Sequence, residues 1–182
     1  MMRWLLLTFT GLVLGGIVHL ATVLYLPRTA INDAYSRLTP LAPINAMVPL
    51  PQPTAGEAIM PFMDPAFATA VCRYDLSSGP LKLSAPVSLA YTSVSFYTRY
   101  GAAYYAITDR AAGRRVIELD LMTEKQHSLV PEDEEVTAAD RLIVESPTLT
   151  GLILVRALVP EPSLLPLAQR AVANAKCQVQ PQ

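Results

Sequence analysis

The sequence predicts a mainly β protein: an antiparallel β-sandwich preceded by an N-terminal transmembrane helix and closed by a C-terminal amphipathic helix. Three observations predict it. Residues 4–26 are apolar apart from His19, residues 66–159 contain short alternating segments divided by glycine and polar turns, and residues 164–176 place apolar side chains on one helical stripe. No long helix interrupts the strand-like segments, which favours antiparallel pairing over a parallel α/β sheet.

The first element is an apolar run, residues 4–26, that is long enough to cross a membrane. About 20 helical residues span a hydrocarbon core of about 30 Å. Trp4 and Tyr25 lie near its ends, where amphipathic rings prefer the headgroup region, and Pro27 is expected to end the helix. A cleaved signal peptide is the alternative, but the run is longer than a signal core and no small-residue cleavage motif follows it cleanly. We therefore predict an uncleaved anchor over residues 1–26.

The charges that flank this helix nearly balance. Arg3 and the amino terminus precede it, and Arg28 and Arg37 follow it, so the positive-inside rule gives little direction. We expect a single pass through the bacterial inner membrane, with the N-terminus in the cytoplasm and the C-terminal domain in the periplasm. The net charge of −1 and the lack of a basic cluster exclude the electrostatic signature of a nucleic-acid-binding protein.

Small and polar residues recur along one side of the predicted helix. Gly11 and Gly15 have the G-x-x-x-G spacing, His19 follows four residues later, and Thr8 and Thr22 flank them. Small residues let a second helix approach closely, and a histidine can hydrogen-bond across such a contact. We predict that these five residues form a helix–helix contact. The alternative is that the glycines are ordinary membrane residues and that His19 faces lipid as a neutral ring.

A proline-rich segment, residues 27–65, comes next and contains half of the chain's sixteen prolines. Each proline fixes its own φ angle and favours an extended conformation in the residue before it. We therefore predict a semi-rigid stalk between the anchor and the folded domain, which is expected over residues 66–182.

Alternation of apolar and polar residues predicts the strands of that domain. The clearest is Arg115–Met122, in which Glu118 and Asp120 share one face and aliphatic side chains share the other; we expect the acidic face to contact water. The predicted strands are Thr69–Leu76, Leu81–Val87, Tyr91–Thr98, residues 102–108, Arg115–Met122, residues 141–146 and Thr150–Val159.

The final predicted element is a helix after Ser163, which is expected to act as its N-cap. Its apolar stripe consists of Leu164, Leu167, Ala168, Ala171, Val172 and Ala175.

The segment Tyr91–Arg110 contains five of the eight tyrosines. It predicts a β-hairpin that turns near Tyr100 and Gly101, because tyrosine packs well on a partly covered sheet. Adjacent strand residues alternate sides, so Tyr104 and Tyr105 are expected to face opposite ways. The alternative is a ligand surface formed by Tyr97, Tyr100 and Tyr104.

Candidate chemistry is sparse. His127 lies in a polar connection with the acidic run 132–135, where solvated side chains are the simpler interpretation. No arrangement selects a catalytic, cofactor-binding or metal-binding residue, and no cofactor is predicted. Cys72 and Cys177 follow the anchor and would form one disulfide in an oxidising compartment; two separate thiols are the alternative.

Three segments occur in an order that resembles a known family: "YDLSSGPLKLSAP", "AYTSVSFYTRYGAAYYAITDRAAG" and "VESPTLTGLILVRALV". Over residues 64–176 they are similar to the domain of unknown function 1254 family. The resemblance implies an immunoglobulin-like β-sandwich and no established activity. Longer relatives join this domain to a companion, the domain of unknown function 1214, which has no counterpart in this sequence. Those relatives also have a polar Asn-Asn-Asp group where this chain has Phe67, Ala68 and Thr69.

Two hypotheses about function follow. The first is a membrane-anchored, non-enzymatic interaction module that contacts the lipid bilayer and assembles with another membrane protein, for which one bearing the companion 1214 domain is the natural candidate. The second is a periplasmic enzyme or small-molecule-binding protein that uses a cleft near the Tyr91–Tyr105 hairpin.

Overall fold

A computed structural model describes residues 1–29, 33–54, 56–112, 115–130 and 142–180. The chain divides into two compact units, Met1–Asp33 and Ala34–Gln182. The first contains a single helix. The second contains two β-sheets and several short helices, so the prediction of a mainly β protein with an N-terminal apolar helix is confirmed.

The first unit is formed by helix α1, Met2–Thr29, none of whose residues is buried. Pro27 lies inside the helix instead of ending it, so the predicted boundary was wrong by about one turn. Proline removes only its own backbone N–H from the helical ladder. The helix then ends two residues later, where the Thr29 hydroxyl donates to the carbonyl oxygen of Leu26 at 3.2 Å.

The second unit contains nine described strands and four described helices. In chain order these are α2 Ala34–Leu38, β1 Met47–Pro49, β2 Phe67–Asp75, β3 Leu81–Pro86, β4 Thr92–Thr98, β5 Ala103–Thr108, α3 Asp109–Ala112, β6 Val116–Thr123, α4 Glu124–His127, β7 Leu142–Ser146, β8 Thr150–Leu158, α5 Leu165–Ala173 and β9 Lys176–Val179. Short 3₁₀ helices occupy Leu76–Ser78 and Pro162–Leu164.

The strands form two sheets. Sheet A has the order β1-β2-β8-β4-β5 and is antiparallel throughout. Sheet B has the order β7-β6-β3-β9, and its β6–β7 pair is parallel. The expectation of purely antiparallel pairing therefore fails at β7. A parallel neighbour needs a connection that returns along the sheet, and residues 124–141 separate these two strands.

A hydrophobic core contains side chains from both sheets. Sheet A contributes Tyr74, Phe96 and Ile153, and sheet B contributes Leu83 and Leu119, each fully or almost fully buried. Alternation along β3 and β6 predicted this face correctly.

The opposite face of β6 is less open than its sequence predicts. Glu118 is exposed, but Asp120 retains only 6% of its surface and Met122 only 3%. The prediction that both acidic residues face water is wrong for Asp120. The short helices α3 and α4 also contact β6, and alternation along one strand does not predict such tertiary contacts.

The proline-rich segment is not a free stalk over its described residues from 34 onward. Leu38, Ala42 and Leu50 pack in a second cluster with residues of β2 and β8, and β1 pairs with β2 through Met47, Val48 and Pro49. The physical reason lies in β2 and β8. Val71, Leu152 and Leu154 lie on the side away from the main core, so this side also needs an apolar cover.

The last helix and the strand after it differ from the prediction. α5 buries Ala168 and Val172, but Ser163 lies in the preceding 3₁₀ turn and makes no capping hydrogen bond. The chain then continues as β9, whose Cys177 pairs with Leu83. A four-residue strand is too short for alternation to reveal it.

The tyrosine-rich segment forms the predicted hairpin, but its register contains a bulge. Phe96 pairs with Tyr105, and the next residue, Tyr97, pairs with Ala103, which leaves Tyr104 as the extra residue. Both Tyr104 and Tyr105 therefore pack on the main core, with ring centroids 6.1 and 5.8 Å from that of Phe96. The prediction that they face opposite sides was wrong because strict alternation fails at a bulge.

Candidate functional site

The predicted contact residues of α1 lie along one open side of the helix. At about 100° per residue, Thr8, Gly11, Gly15, His19 and Thr22 fall within an arc of about 80°. A Cβ atom added at Gly11 or Gly15 would meet nothing within 4 Å. These five residues thus form a shallow strip on the helix surface, which we call the lane, where the backbone of another helix has room to approach.

The two threonines of this lane are already hydrogen-bonded within the helix. The Thr8 hydroxyl donates to the carbonyl oxygen of Trp4 at 2.7 Å, and the Thr22 hydroxyl donates to that of Val18 at 2.8 Å. Such bonds hide hydroxyl groups from a hydrocarbon environment. Neither threonine needs a partner helix to satisfy its hydroxyl donor. Any attraction of a second helix to the lane would therefore come from close packing at the glycines and from His19.

The three tyrosines considered as a ligand surface do not converge. Tyr97 packs on the second cluster, on the outer side of sheet A. Tyr104 packs on the main core, on the other side of the same sheet. Tyr100 lies in the turn between β4 and β5 and is 50% exposed. Tyr97, Tyr100 and Tyr104 therefore do not form one aromatic cleft.

Tyr104 instead belongs to a buried polar cluster. Its hydroxyl lies 3.1 Å from that of Tyr74, which lies 2.9 Å from the hydroxyl of Ser146 and 3.4 Å from the carbonyl oxygen of Tyr97. Burial, followed by the proximity of Tyr74, raises the pKa of Tyr104 well above its ordinary value of 10.0. The Tyr104 hydroxyl therefore stays neutral, and the hydrogen bonds of the cluster connect β2 and β5 of sheet A with β7 of sheet B.

The residues between β2 and β3 also have structural roles. The backbone N–H of Ser77 donates to Asp75 Oδ1 at 2.9 Å, and the Ser77 hydroxyl donates to the same oxygen. These bonds, the hydroxyl first, hold the pKa of Asp75 below its usual value of 3.8. Asn45 exchanges two hydrogen bonds with the Asp75 backbone, at 2.8 and 2.9 Å. Asp75 is therefore the N-cap of the 3₁₀ helix Leu76–Ser78, which lies in one of the segments that carry the family resemblance.

Cys72 and Cys177 form a disulfide, with their Cα atoms 6.4 Å apart. Cys72 lies in β2 and Cys177 in β9, so the bond joins sheet A to sheet B. Both residues are buried in the main core. The link spans a sequence separation of 105 residues.

His127 has a partner in the structure. Its Nδ1 lies 2.6 Å from Glu145 Oε1, and both side chains are partly exposed. An exposed pair of this kind contributes little to stability. The contact joins α4 to β7.

A groove that sequence reasoning missed lies on the outer side of sheet A. It has a volume of about 210 Å³, and its walls include Leu50, Met60, Met63, Phe67, Leu154 and Arg156. We refer to it as the arginine groove. Phe62 and Asp64 lie at its rim, and both are exposed.

One signal in the sequence points to this groove. Arg156 follows Leu152 and Leu154 at two-residue steps in β8, so all three share one face of that strand, and Arg156 is the one charged residue of β8. A charged side chain on such a face needs a hydrogen-bonding partner or an opening to solvent. The remaining walls come from residues 50–67, and their approach to β8 depends on tertiary packing.

Comparison with solved structures finds a similar fold in a protein whose name states no activity. The chain resembles the VPA0106 protein from Vibrio parahaemolyticus, with a TM-score of 0.58 and 13% identity over 82% of this chain. It also matches a putative uncharacterized protein from Burkholderia cenocepacia, with a TM-score of 0.49 and 10% identity over 80% of this chain. The chain spans only about a third of either neighbour, 35% and 36% of their lengths.

Sequence comparison identifies the family. A search of curated proteins finds no match. The family model described as "Protein of unknown function (DUF1254)" matches residues 44–179, most of the chain. This confirms the resemblance carried by the three sequence segments, and the protein belongs to the DUF1254 family.

Proposed function

We propose that this protein is a membrane-anchored, non-enzymatic interaction module of the bacterial envelope. α1 crosses the inner membrane once, with the N-terminus in the cytoplasm and the β-rich unit in the periplasm. The module assembles with a second membrane protein, for which the natural candidate is one that bears the companion 1214 domain. The observation that carries the proposal is the wholly exposed apolar surface of α1.

The dimensions of α1 support membrane insertion. Its 28 residues give a length of about 42 Å at 1.5 Å per residue, which exceeds the hydrocarbon core of about 30 Å. Among the residues that the structure describes, it is the one helix long and apolar enough for such a span. Trp4 is 76% and Leu24 72% exposed, and an apolar surface of this size requires a cover.

The β-rich unit suits an oxidising compartment. A disulfide between buried cysteines is stable outside the reducing cytoplasm, which supports the periplasmic assignment. The core shared by the two sheets and the covalent link between them also support the immunoglobulin-like sandwich that the family resemblance implies. α5 then acts as an amphipathic cover, with Ala168 and Val172 inward.

The open lane on α1 supports pairing with another helix. Small residues at Gly11 and Gly15 allow close backbone approach, and an ionisable side chain such as His19 usually faces protein in a membrane. Leucine at position 15 would fill the lane. Leucine at the adjacent Gly16, about 100° around the helix, would not.

Affinity capture from a mild detergent extract tests this proposal. The full chain should recover a stoichiometric membrane protein. Gly15→Leu should abolish recovery, and Gly16→Leu should retain it. Capture that is unchanged by Gly15→Leu, or absent with the unmodified protein, would count against helix pairing.

A further inference from the structure

The arginine groove contains a cation that the fold itself does not use. Within the described ranges, no hydrogen bond or ion pair involves the Arg156 guanidinium, although Arg156 is half-buried on the same face of β8 as Leu152 and Leu154. Arg73 of the same unit, by contrast, donates to the carbonyl oxygen of Ala42 at 3.1 Å, and its guanidinium lies 4.4 Å from the Tyr35 ring centroid. A guanidinium without a protein partner, in a concavity with several apolar walls, is suited to bind a carboxylate.

The rim of the groove has a second unusual feature. Phe62 has φ 62°, a left-handed conformation that costs a non-glycine residue free energy. Its ring is fully exposed, at 102% of its reference surface. The ring makes no packing contact that offsets the free-energy cost of this backbone conformation. A ligand bound in the groove would provide a surface against which the ring can pack.

The charge of Asp64, at the rim of the groove, limits the kind of anion that the groove can bind. The Asp64 carboxylate accepts a hydrogen bond from the Ala66 backbone N–H at 2.9 Å and is exposed to solvent. It repels a second negative charge near the opening. One cation within and one carboxylate outside favour a monoanion over a phosphate dianion.

We propose that the arginine groove binds a small monocarboxylate with an apolar body. The carboxylate accepts hydrogen bonds from Arg156, and the body packs against Leu50, Met60 and Leu154. Phe62 covers the opening. This inference goes beyond the interaction role proposed above and is independent of it.

The groove's size sets the size of the ligand. An apolar cavity of about 150 Å³ holds benzene, so a volume of about 210 Å³ has room for one six-membered ring with a carboxylate, or for a short alkyl chain. Phenylacetate and octanoate meet this description. A long-chain fatty acid would leave most of its tail outside the groove.

Binding of phenylacetate to the full chain in lipid nanodiscs tests the proposal, with empty nanodiscs as the blank. Saturation-transfer NMR should detect binding with a dissociation constant on the order of 1 mM or tighter. Arg156→Gln should weaken it by about tenfold or more. Substitution of Arg115, an exposed arginine immediately before β6, by glutamine (Arg115→Gln) should leave it unchanged. Phenylacetamide should bind the unmodified protein about as weakly as phenylacetate binds Arg156→Gln.

Two further variants keep the test independent of folding defects. Asp64→Asn should tighten phenylacetate binding, because it removes the repulsive rim charge. Phe62→Ala should weaken it by a few-fold without loss of the fold, because the ring contacts nothing in the free protein. Octanoate should displace phenylacetate competitively if both occupy this groove.

Three outcomes would overturn the proposal. They are no binding above the empty-nanodisc blank, equal affinity of phenylacetate for the unmodified protein and for Arg156→Gln, and equal affinity for phenylacetate and phenylacetamide. None of them bears on partner capture through α1, so the two proposals fail separately.

Discussion

The hydroxyl of Tyr74 occupies the space that a side chain at Gly151 would need. These residues are cross-strand partners in the β2–β8 ladder, and a Cβ atom built on Gly151 would collide with the Tyr74 hydroxyl and with the carbonyl oxygen of Tyr97. The missing side chain lets the Tyr74 ring cross β8 and reach Ser146 and Tyr104. Gly151 is therefore the residue that makes room for the buried polar cluster.

Gly151→Ala should destabilise the β-rich unit by about 2 kcal/mol or more, because overpacking a rigid backbone neighbour forces the strands apart. Chemical unfolding of the full chain, followed by circular dichroism, measures the change. Thr150→Ala, one position earlier in β8, serves as control and should cost less than about 1 kcal/mol. Equal effects of the two substitutions would contradict the steric relationship.

Tyr74→Phe should cost about 1–2 kcal/mol of the free energy of unfolding, since it leaves buried polar atoms of Tyr104 and Ser146 with fewer partners. The matched control is Tyr100→Phe, whose ring lies half-exposed in the hairpin turn and should change stability by less than about 0.5 kcal/mol. The same unfolding experiment compares them. A smaller loss for Tyr74→Phe than for Tyr100→Phe would show that the cluster adds no stability.

The hairpin shows how far alternation along a strand can predict a structure. Val94 and Phe96 are buried as their spacing predicts, and Gly101 adopts the positive φ that the turn requires. The bulge at Tyr104 was not predictable, because it arises from pairing between two strands and alternation is a property of one. The parallel position of β7 was missed for the same reason.

Loss of the disulfide should cost several kcal/mol. A cross-link over a separation of 105 residues contributes about 4.7 kcal/mol in the chain-entropy model, and measured losses are usually 2–5 kcal/mol. Cys72→Ser/Cys177→Ser should lower the denaturant midpoint by an amount that reductant reproduces in the unmodified protein. Rapid labelling of the native, unreduced chain by a thiol reagent would instead show that the cysteines are not bonded.

The Asp75 cap predicts an acid-sensitive contribution to stability. The folded-state pKa of Asp75 is depressed, so its contribution is present above the unfolded pKa near 3.8 and is lost as the pH falls through the folded value. Ser77→Ala removes the main cause and should raise the Asp75 pKa toward 3.8, as measured by NMR titration of the carboxyl carbon. Ser84→Ala, on β3, should leave that pKa where it is; a pKa that does not respond to Ser77→Ala would exclude the hydroxyl as its cause.

Only one wall of the arginine groove could be predicted from the sequence. The strand pattern of β8 places Arg156 beside Leu154, which marks an unusual cation. The opposite wall is formed largely by the proline-rich segment, whose composition predicted a stalk. Its packing follows from the two-sided apolar character of β2 and β8, and only the folded chain reveals which segment provides the cover.

The most direct test of the central claim is protease digestion of intact spheroplasts that carry the protein tagged at both ends. If α1 is a single-pass anchor with the β-rich unit outside, the external protease should remove the C-terminal tag. The N-terminal tag should stay intact until the membrane is opened. Protection of the C-terminal tag in sealed spheroplasts, or loss of both tags together, would contradict the topology on which the proposed function depends.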